Sequence, residues 1–139
     1  MKKNKLKVIQ WLNMGSYPGY TVFILGFSFD EVKKLLKKKK ALDWLNAFNH
    51  AIKLNTRNGC WANATTLENI KTAEIKYYYF IYIPSFGFKD YDYIKLSHEV
   101  LHICQFYLPD ILDRNKEHEA ECYLHSHLMQ QCLNAIRND

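Results

Sequence analysis

Asp92-Tyr-Ile-Lys-Leu-Ser-His98-Glu99-Val-Leu-His102-Ile-Cys-Gln-Phe-Tyr107 is the stretch from which the fold can be read outward. An α-helix turns once every 3.6 residues, so His98 and His102 leave one face a turn apart, and Glu99 sits about 100° round from His98. Two imidazoles so placed can hold one zinc ion beside a carboxylate that acts as general base. The flanks supply the helix this geometry requires. Asp90 or Asp92 can cap its start, Ile94, Leu101, Cys104 and Leu108 recur at helical spacing on another face, and Pro109 cannot continue it. The spacing predicts a helix from about Asp92 to Tyr107. The plain alternative is a pair of histidines packed on a buried helix face.

A hydrolytic zinc site takes three protein ligands and leaves the fourth position to water. Beyond Pro109 the chain reads Asp110-Ile-Leu-Asp113-Arg-Asn-Lys-Glu117-His118-Glu119-Ala120-Glu121-Cys122-Tyr123-Leu124, a short polar turn and then a second helix. Ala120, Leu124, Leu128 and Ala135, with Tyr123, Cys132 and Ile136 beside them, mark the buried stripe of that helix, from about Lys116 to Ile136. Glu117, His118, Glu119 and Glu121 all arrive at its start. Glu119 borders the stripe through Tyr123, whereas Glu117 and Glu121 flank it on the other side. Periodicity does not choose between them. A mixed site using Cys122 also stays open, and a thiolate there would favour a structural zinc over a hydrolytic one.

At these residues the chain resembles the gluzincin type of metallopeptidase, particularly the small minigluzincin-like zinc peptidases encoded by bacteriophages and mobile elements. In those proteins HExxH is followed on the next helix by Glu-x-x-x-Tyr-Leu, whose Glu is the third ligand. Glu119-Ala-Glu-Cys-Tyr123-Leu124 matches that motif, with Cys122 where the family usually carries a small residue such as Ala. The resemblance covers roughly Tyr77 to Leu128, with a looser strand-then-helix similarity upstream. It implies His98, His102 and Glu119 as ligands of Zn2+, Glu99 as general base, and a peptide or protein substrate. In the larger gluzincins an Asp four residues after the ligand Glu orients a ligand His, and here Tyr123 stands in that place. That support must come instead from Asp110, Asp113, Glu121 or a backbone carbonyl. The oxyanion formed on attack needs a further donor, and Tyr123, one turn beyond Glu119, is the first candidate, ahead of His118, His125, His127 and Tyr107.

The rest of the chain reads as α+β. With the resemblance, this implies a zincin-like fold: a small mixed or antiparallel sheet, the HExxH helix, and a C-terminal helix carrying a ligand. Val8 to Leu12 is a candidate strand, and Tyr17-Pro-Gly-Tyr20 is a turn before the stronger strand Thr21 to Phe27. Ser28 with Glu31 forms a capping box that opens a helix through Val32, Leu35 and Leu36. A further helix from about Ala41 to Leu54 places Leu42, Leu45, Phe48 and Ile52 on one face, with Asn46, Asn49 and His50 on its polar side. Glu74 to Ile83 is the second strong strand. Zincin-like peptidases bind substrate in extended form at the edge of a strand just upstream of the HExxH helix, and Lys76 to Ile83 is the candidate for that strand. Its residues are apolar or aromatic on both faces, which equally describes an ordinary core strand.

Composition bounds the remaining readings. A chain of 139 residues, 48% hydrophobic and 15% aromatic, can bury one sizeable core, so a single domain over 1–139 is expected. The longest apolar run, Tyr20 to Phe29, is too short to span a bilayer. The lysine-rich start lacks a long apolar segment and a small-residue cleavage site, which points to the cytoplasm. Cys60, Cys104, Cys122 and Cys132 show no CxxC spacing and read as free, mostly buried thiols. Net charge is +5, but residues 1–76 carry 14 basic and 5 acidic side chains and residues 77–139 carry 5 and 9. The acidic half, with five of the six histidines, suits a cation site. The basic run Lys33 to Lys40 has no aromatic residues interleaved, so it reads as a solvated helix face rather than a nucleic-acid contact. A second functional reading is a non-catalytic module, its zinc structural or vestigial, that binds a host or partner protein.

Overall fold

The Ser28-Phe-Asp-Glu31 turn shows how local sequence sets the architecture. In a computed structural model the Ser28 hydroxyl accepts from the Glu31 amide at 3.2 Å, and the Glu31 carboxylate accepts from the Ser28 amide at 3.0 Å. This reciprocal box starts helix α1 (Phe29–Lys38). The structure describes residues 6–15, 17, 19–55, 59–108 and 118–138, the side chains of His118 and Glu119 excepted.

The described elements run β1 (Val8–Asn13), β2 (Tyr20–Leu25), α1, α2 (Leu42–Leu54), β3 (Trp61–Asn69), β4 (Glu74–Ile83), α3 (Asp90–Tyr107) and α4 (His118–Arg137). The four strands form one mixed sheet in the order β1-β2-β4-β3. β1 pairs antiparallel with β2, β2 parallel with β4, and β4 antiparallel with β3. The fold is therefore α+β.

Period-two alternation divides the core between the two faces of the sheet. Phe23, Leu25, Tyr79, Ile81 and Ile83 turn to one face and pack under α3 and α4. Val22, Ile24, Tyr78, Phe80 and Tyr82 turn to the other and pack under α1 and α2. Burial on both faces explains the unbroken apolar run of β4. The α1–α2 side is rich in aromatics: Trp61 stacks on Tyr82 at 5.1 Å and on Phe48 at 6.2 Å, and Phe29 meets Tyr82 at 5.0 Å. Offset and edge contacts of this kind add about 0.5–1.5 kcal/mol per pair beyond area burial. They fix Trp61, and with it the start of β3.

Several sequence expectations are corrected. β3 was not foreseen, and it lies at one edge of the sheet. β4 is interior, and from Tyr79 to Ile83 it is paired along both sides, so most of the Lys76 to Ile83 stretch has no free edge on which a peptide can add; Lys76 to Tyr78 pair with β3 alone. On α2 the buried residues are Ala47, Phe48 and Ala51, while Leu42 is exposed. The α1 lysines follow expectation: Val32 and Leu36 are buried, and Lys34 and Lys37 to Lys40 are exposed. All four cysteines are free, with Cys104 and Cys132 buried, Cys60 half-buried and Cys122 exposed. Among the described residues no helix is long and apolar enough to cross a membrane.

Candidate metal centre

Helix α3 is anchored at its start by Asp92. Its Oδ2 accepts from the Gly87 amide at 2.9 Å and the Lys89 amide at 3.0 Å, so a buried third-position carboxylate reaches back to hold the entering loop. Negative charge there also suits the helix dipole. Of the two aspartates expected to cap this helix, Asp92 does so, from inside the first turn. The buried stripe is Leu96, Val100, Ile103, Cys104 and Tyr107. Of the four apolar residues expected to share a face apart from the histidines, Cys104 and Leu108 are buried, whereas Ile94 is 67% and Leu101 37% exposed. The latter two lie on the outer face, which is the face that carries His98 and His102.

On that outer face the Nε2 atoms of His98 and His102 are 3.0 Å apart, with the rings nearly perpendicular at 89°. Two imidazoles bound tetrahedrally at Zn–N distances near 2.0–2.1 Å would place their nitrogens about 3.4 Å apart. The pair fits that arrangement after parting by a few tenths of an ångström. His102 is further held by Phe106, whose ring lies parallel at 6.0 Å. His98, Glu99 and His102 form a group whose ligand atoms all lie within 4.8 Å of one another, and this group could hold a metal ion. The donor set, two imidazoles and one carboxylate, suits zinc and other first-row divalent ions.

Glu99 points inward rather than outward. It is 5% exposed and has no hydrogen-bond partner among the described residues. Burial raises its carboxyl above the ordinary range, against the pull of the His102 and His98 imidazoles in the opposite direction. Its carboxylate helps to line a cavity of about 500 Å³. Leu54, Asn55, Cys60, Trp61, Ala62, His102 and Phe106 complete the wall among the described residues. The cavity thus opens between the middle of α3, the end of α2 and the start of edge strand β3. An imidazole pair that could hold a metal ion, a buried carboxylate and the edge strand β3 meet in one place among the described residues.

Helix α4 packs beside α3. His125 Nε2 lies 3.1 Å from Ser97 Oγ and 3.2 Å from the Ser97 carbonyl, which ties the two helices together one residue before His98. Further along, the Gln131 amide both donates to the Asn13 carbonyl, at 2.6 Å, and accepts from the Asn13 amide, as a paired strand would. His127 Nε2 stands 2.9 Å from Asn13 Oδ1. Tyr107 is buried against Tyr79 and Tyr17. Three of the expected oxyanion donors, His125, His127 and Tyr107, are therefore engaged in packing.

Tyr123 is 74% exposed, so it stands off the buried stripe of α4, and it does not line the cavity. Glu119 lies in the first turn of α4, but its side chain and that of His118 fall outside the described structure. Asp110, Asp113 and Glu117 also lie outside the described residues. Glu121, Cys122 and His125 are described and do not belong to the His98–Glu99–His102 group. Sequence reading missed the cavity residues on β3, because nothing marked that segment as a strand, and missed Phe106, which reads as one more aromatic in an aromatic chain.

No family model, curated protein or solved structure matches this chain.

Proposed function

We propose that this protein is a zinc-dependent metallopeptidase of the zincin type, with His98, His102 and Glu119 as ligands and Glu99 as general base. The observation that carries the reading is the Nε2 pair at 3.0 Å standing beside a buried carboxylate that faces an open cavity. A structural metal site needs neither the cavity nor the carboxylate. When bound, zinc supplies a Lewis acid that acidifies water and polarises a carbonyl.

The protein's own groups then have defined tasks. Glu99, desolvated and without a hydrogen-bond partner among the described residues, takes the proton of the attacking water and passes it to the leaving amine. Ser97 and His125 fix α3 against α4, so that His98 and His102 keep their facing rotamers. Tyr123, expected from the sequence as oxyanion donor, is exposed on α4 and does not line the cavity, so the oxyanion donor is left unassigned. β3, with its open edge next to the cavity, is the strand on which that substrate lies.

The test is cleavage of a peptide library by the zinc-loaded protein, with Glu99→Gln as control. Cleavage by the wild type and none by the variant supports the reading. Equal cleavage by both removes it.

A second reading has its own observation. Tyr91, Ile94 and Leu101 form an exposed apolar stripe on α3 around His98. A non-catalytic protein that holds zinc structurally and binds a host or partner protein through this stripe would show metal binding, no hydrolysis by wild type, and loss of the partner on Ile94→Glu.

A further inference from the structure

We infer that β1 is an interface strand through which two copies of this chain pair, antiparallel about a two-fold axis at Gln10, so that their sheets become one. β1 and β3 lie at opposite edges of the sheet, so this pairing is independent of the metal centre.

The first argument is the direction in which the backbone of β1 points. The Asn13 amide donates to Gln131 Oε1 at 3.1 Å, and the Asn13 carbonyl accepts from Gln131 Nε2 at 2.6 Å. Both groups of Asn13 therefore face away from β2. Outward-facing residues alternate along an antiparallel pair. The register runs one to one from Val8↔Leu25 to Asn13↔Tyr20, without a bulge. Ile9 and Trp11 accordingly present their amides and carbonyls off the sheet as well, and these groups have no partner among the described residues. Gln131 supplies at one end what a neighbouring strand would supply along the whole edge.

The second argument is that the edge is unguarded. Soluble proteins blunt their edge strands with charge, proline, bulges or a covering element. Val8 to Asn13 contains no charged residue and no proline. The nearest charge, Lys7, is held by Glu31 and by the Phe27 ring at 5.5 Å. Ile9 and Trp11 are apolar and half-buried on the α1–α2 face, where Trp11 meets Trp44 edge-on at 6.0 Å.

The third argument is that the strand is complementary to itself. A two-fold axis at Gln10 sets Ile9 opposite Trp11 of the second copy, and Trp11 opposite its Ile9. Each of these two pairs exchanges both main-chain hydrogen bonds, because both residues face outward. Their side chains meet on the α1–α2 face as cross-strand apolar pairs. No like charges oppose, since Lys7 comes level with Asn13 of the second copy. There Gln131 already fills the edge and ends the ladder. Its protruding amide meets a hollow of about 350 Å³ that Lys7, Val8, Gln10, Asn134 and Asn138 help to line. A ladder stopped at both ends by the same side chain gives a closed dimer rather than a fibre. A strand of another protein would use the same hydrogen bonds, but self-pairing also matches projection to hollow at both ends.

Gln10 is exposed and, at the axis, opposes itself at the close spacing of a non-hydrogen-bonded pair. Gln10→Lys and Gln10→Glu each place like charges face to face without touching the core. Sedimentation velocity over a concentration series reads the dimer, and melting temperature checks that each variant folds. Wild type should dimerise as concentration rises. Each charged variant should weaken dimerisation by about fivefold or more, and the loss should shrink in high salt. An equimolar mixture of the two should recover dimerisation to within about threefold of wild type, as opposite charges then meet. Ile9→Pro removes an outward amide without breaking a β1–β2 hydrogen bond, and should weaken the dimer as well.

A wild type that stays monomeric at every concentration overturns the inference and leaves the edge to a strand of another protein. A dimer unmoved by Gln10→Lys, Gln10→Glu and Ile9→Pro overturns it too. A dimer that both charged variants weaken and their mixture does not restore overturns the two-fold at Gln10.

Discussion

His98 Nε2 faces His102 Nε2 at 3.0 Å from the next turn of α3, and the two rings stand at 89° to each other. A helix makes this pairing at little cost, since residues four apart already share a face. What is specific here is that His98 is exposed while Glu99, the residue between them in the motif, is buried and lines the cavity together with His102.

Glu99→Gln separates base from ligand. The amide keeps the shape and loses the proton acceptor, so zinc content should match wild type while hydrolysis falls by at least about 10²–10⁴-fold, the range for a general base. Parallel metal titration and peptide assay check this. Loss of the metal would instead make Glu99 a ligand.

Asp92→Ala removes the acceptor for both the Gly87 and Lys89 amides at the start of α3. The expected cost is about 1–2 kcal/mol, typical of a lost helix cap, and Asp92→Asn should recover most of it because one oxygen remains. Denaturant unfolding of the three proteins measures it. Equal midpoints would show that the loop does not need the clamp.

Gly26→Ala meets two obstacles. Gly26 holds φ +82°, and an added Cβ would stand 2.0 Å from the Leu6 carbonyl oxygen. The backbone conformation alone costs about 1–3 kcal/mol in a residue other than glycine, and the clash requires β1 to shift away from the end of β2. Thermal unfolding should show this as the most destabilising of these single changes outside the core. A melting temperature within a degree of wild type would contradict it.

Glu31 supplies a pH signature. Its carboxyl is held down from 4.5 to about 2, first by the Lys7 ion pair and next by the Ser28 amide. A carboxyl depressed on folding adds stability that is complete above its unfolded value and is lost as pH falls through the folded one. Glu31→Gln keeps a capping side chain and removes the charge. It should therefore melt slightly below wild type at pH 7, with the gap closing between about pH 4.5 and 2 and shrinking in high salt. A gap that persists at pH 2 would assign the effect to the cap rather than the charge.

Legibility followed the range of the signal. The Ser28–Glu31 box, the strands Tyr20–Leu25 and Glu74–Ile83, and the helix around HExxH were all readable, because caps, alternation and helical spacing are local. β3 was not. Asn63, Glu68 and Asn69 dilute its strand character, and the hairpin to β4 turns through Ala73 at φ +55°, where a glycine would have signalled a turn. Ile94 and Leu101 were grouped with Cys104 and Leu108 on one face of α3 because two apolar stripes occur on that helix. Leu96, Val100, Ile103 and Tyr107 pack, while Ile94 and Leu101 surround the histidines, and only the sheet beneath decides between them. The edge available to a substrate was assigned to β4 because strand order is a tertiary property that no single strand encodes. The paired imidazoles and the buried carboxylate were legible from five residues; the cavity, built from α2, β3 and α3, was not.

Elemental analysis of the purified protein, with His98→Ala and His102→Ala beside it, tests the central claim most directly. The account predicts about one zinc per chain in the wild type, little or none in either variant, and a melting temperature that falls on chelation only in the wild type. A wild type without metal whose melting is indifferent to chelator, or variants that retain a full complement of zinc, would contradict it.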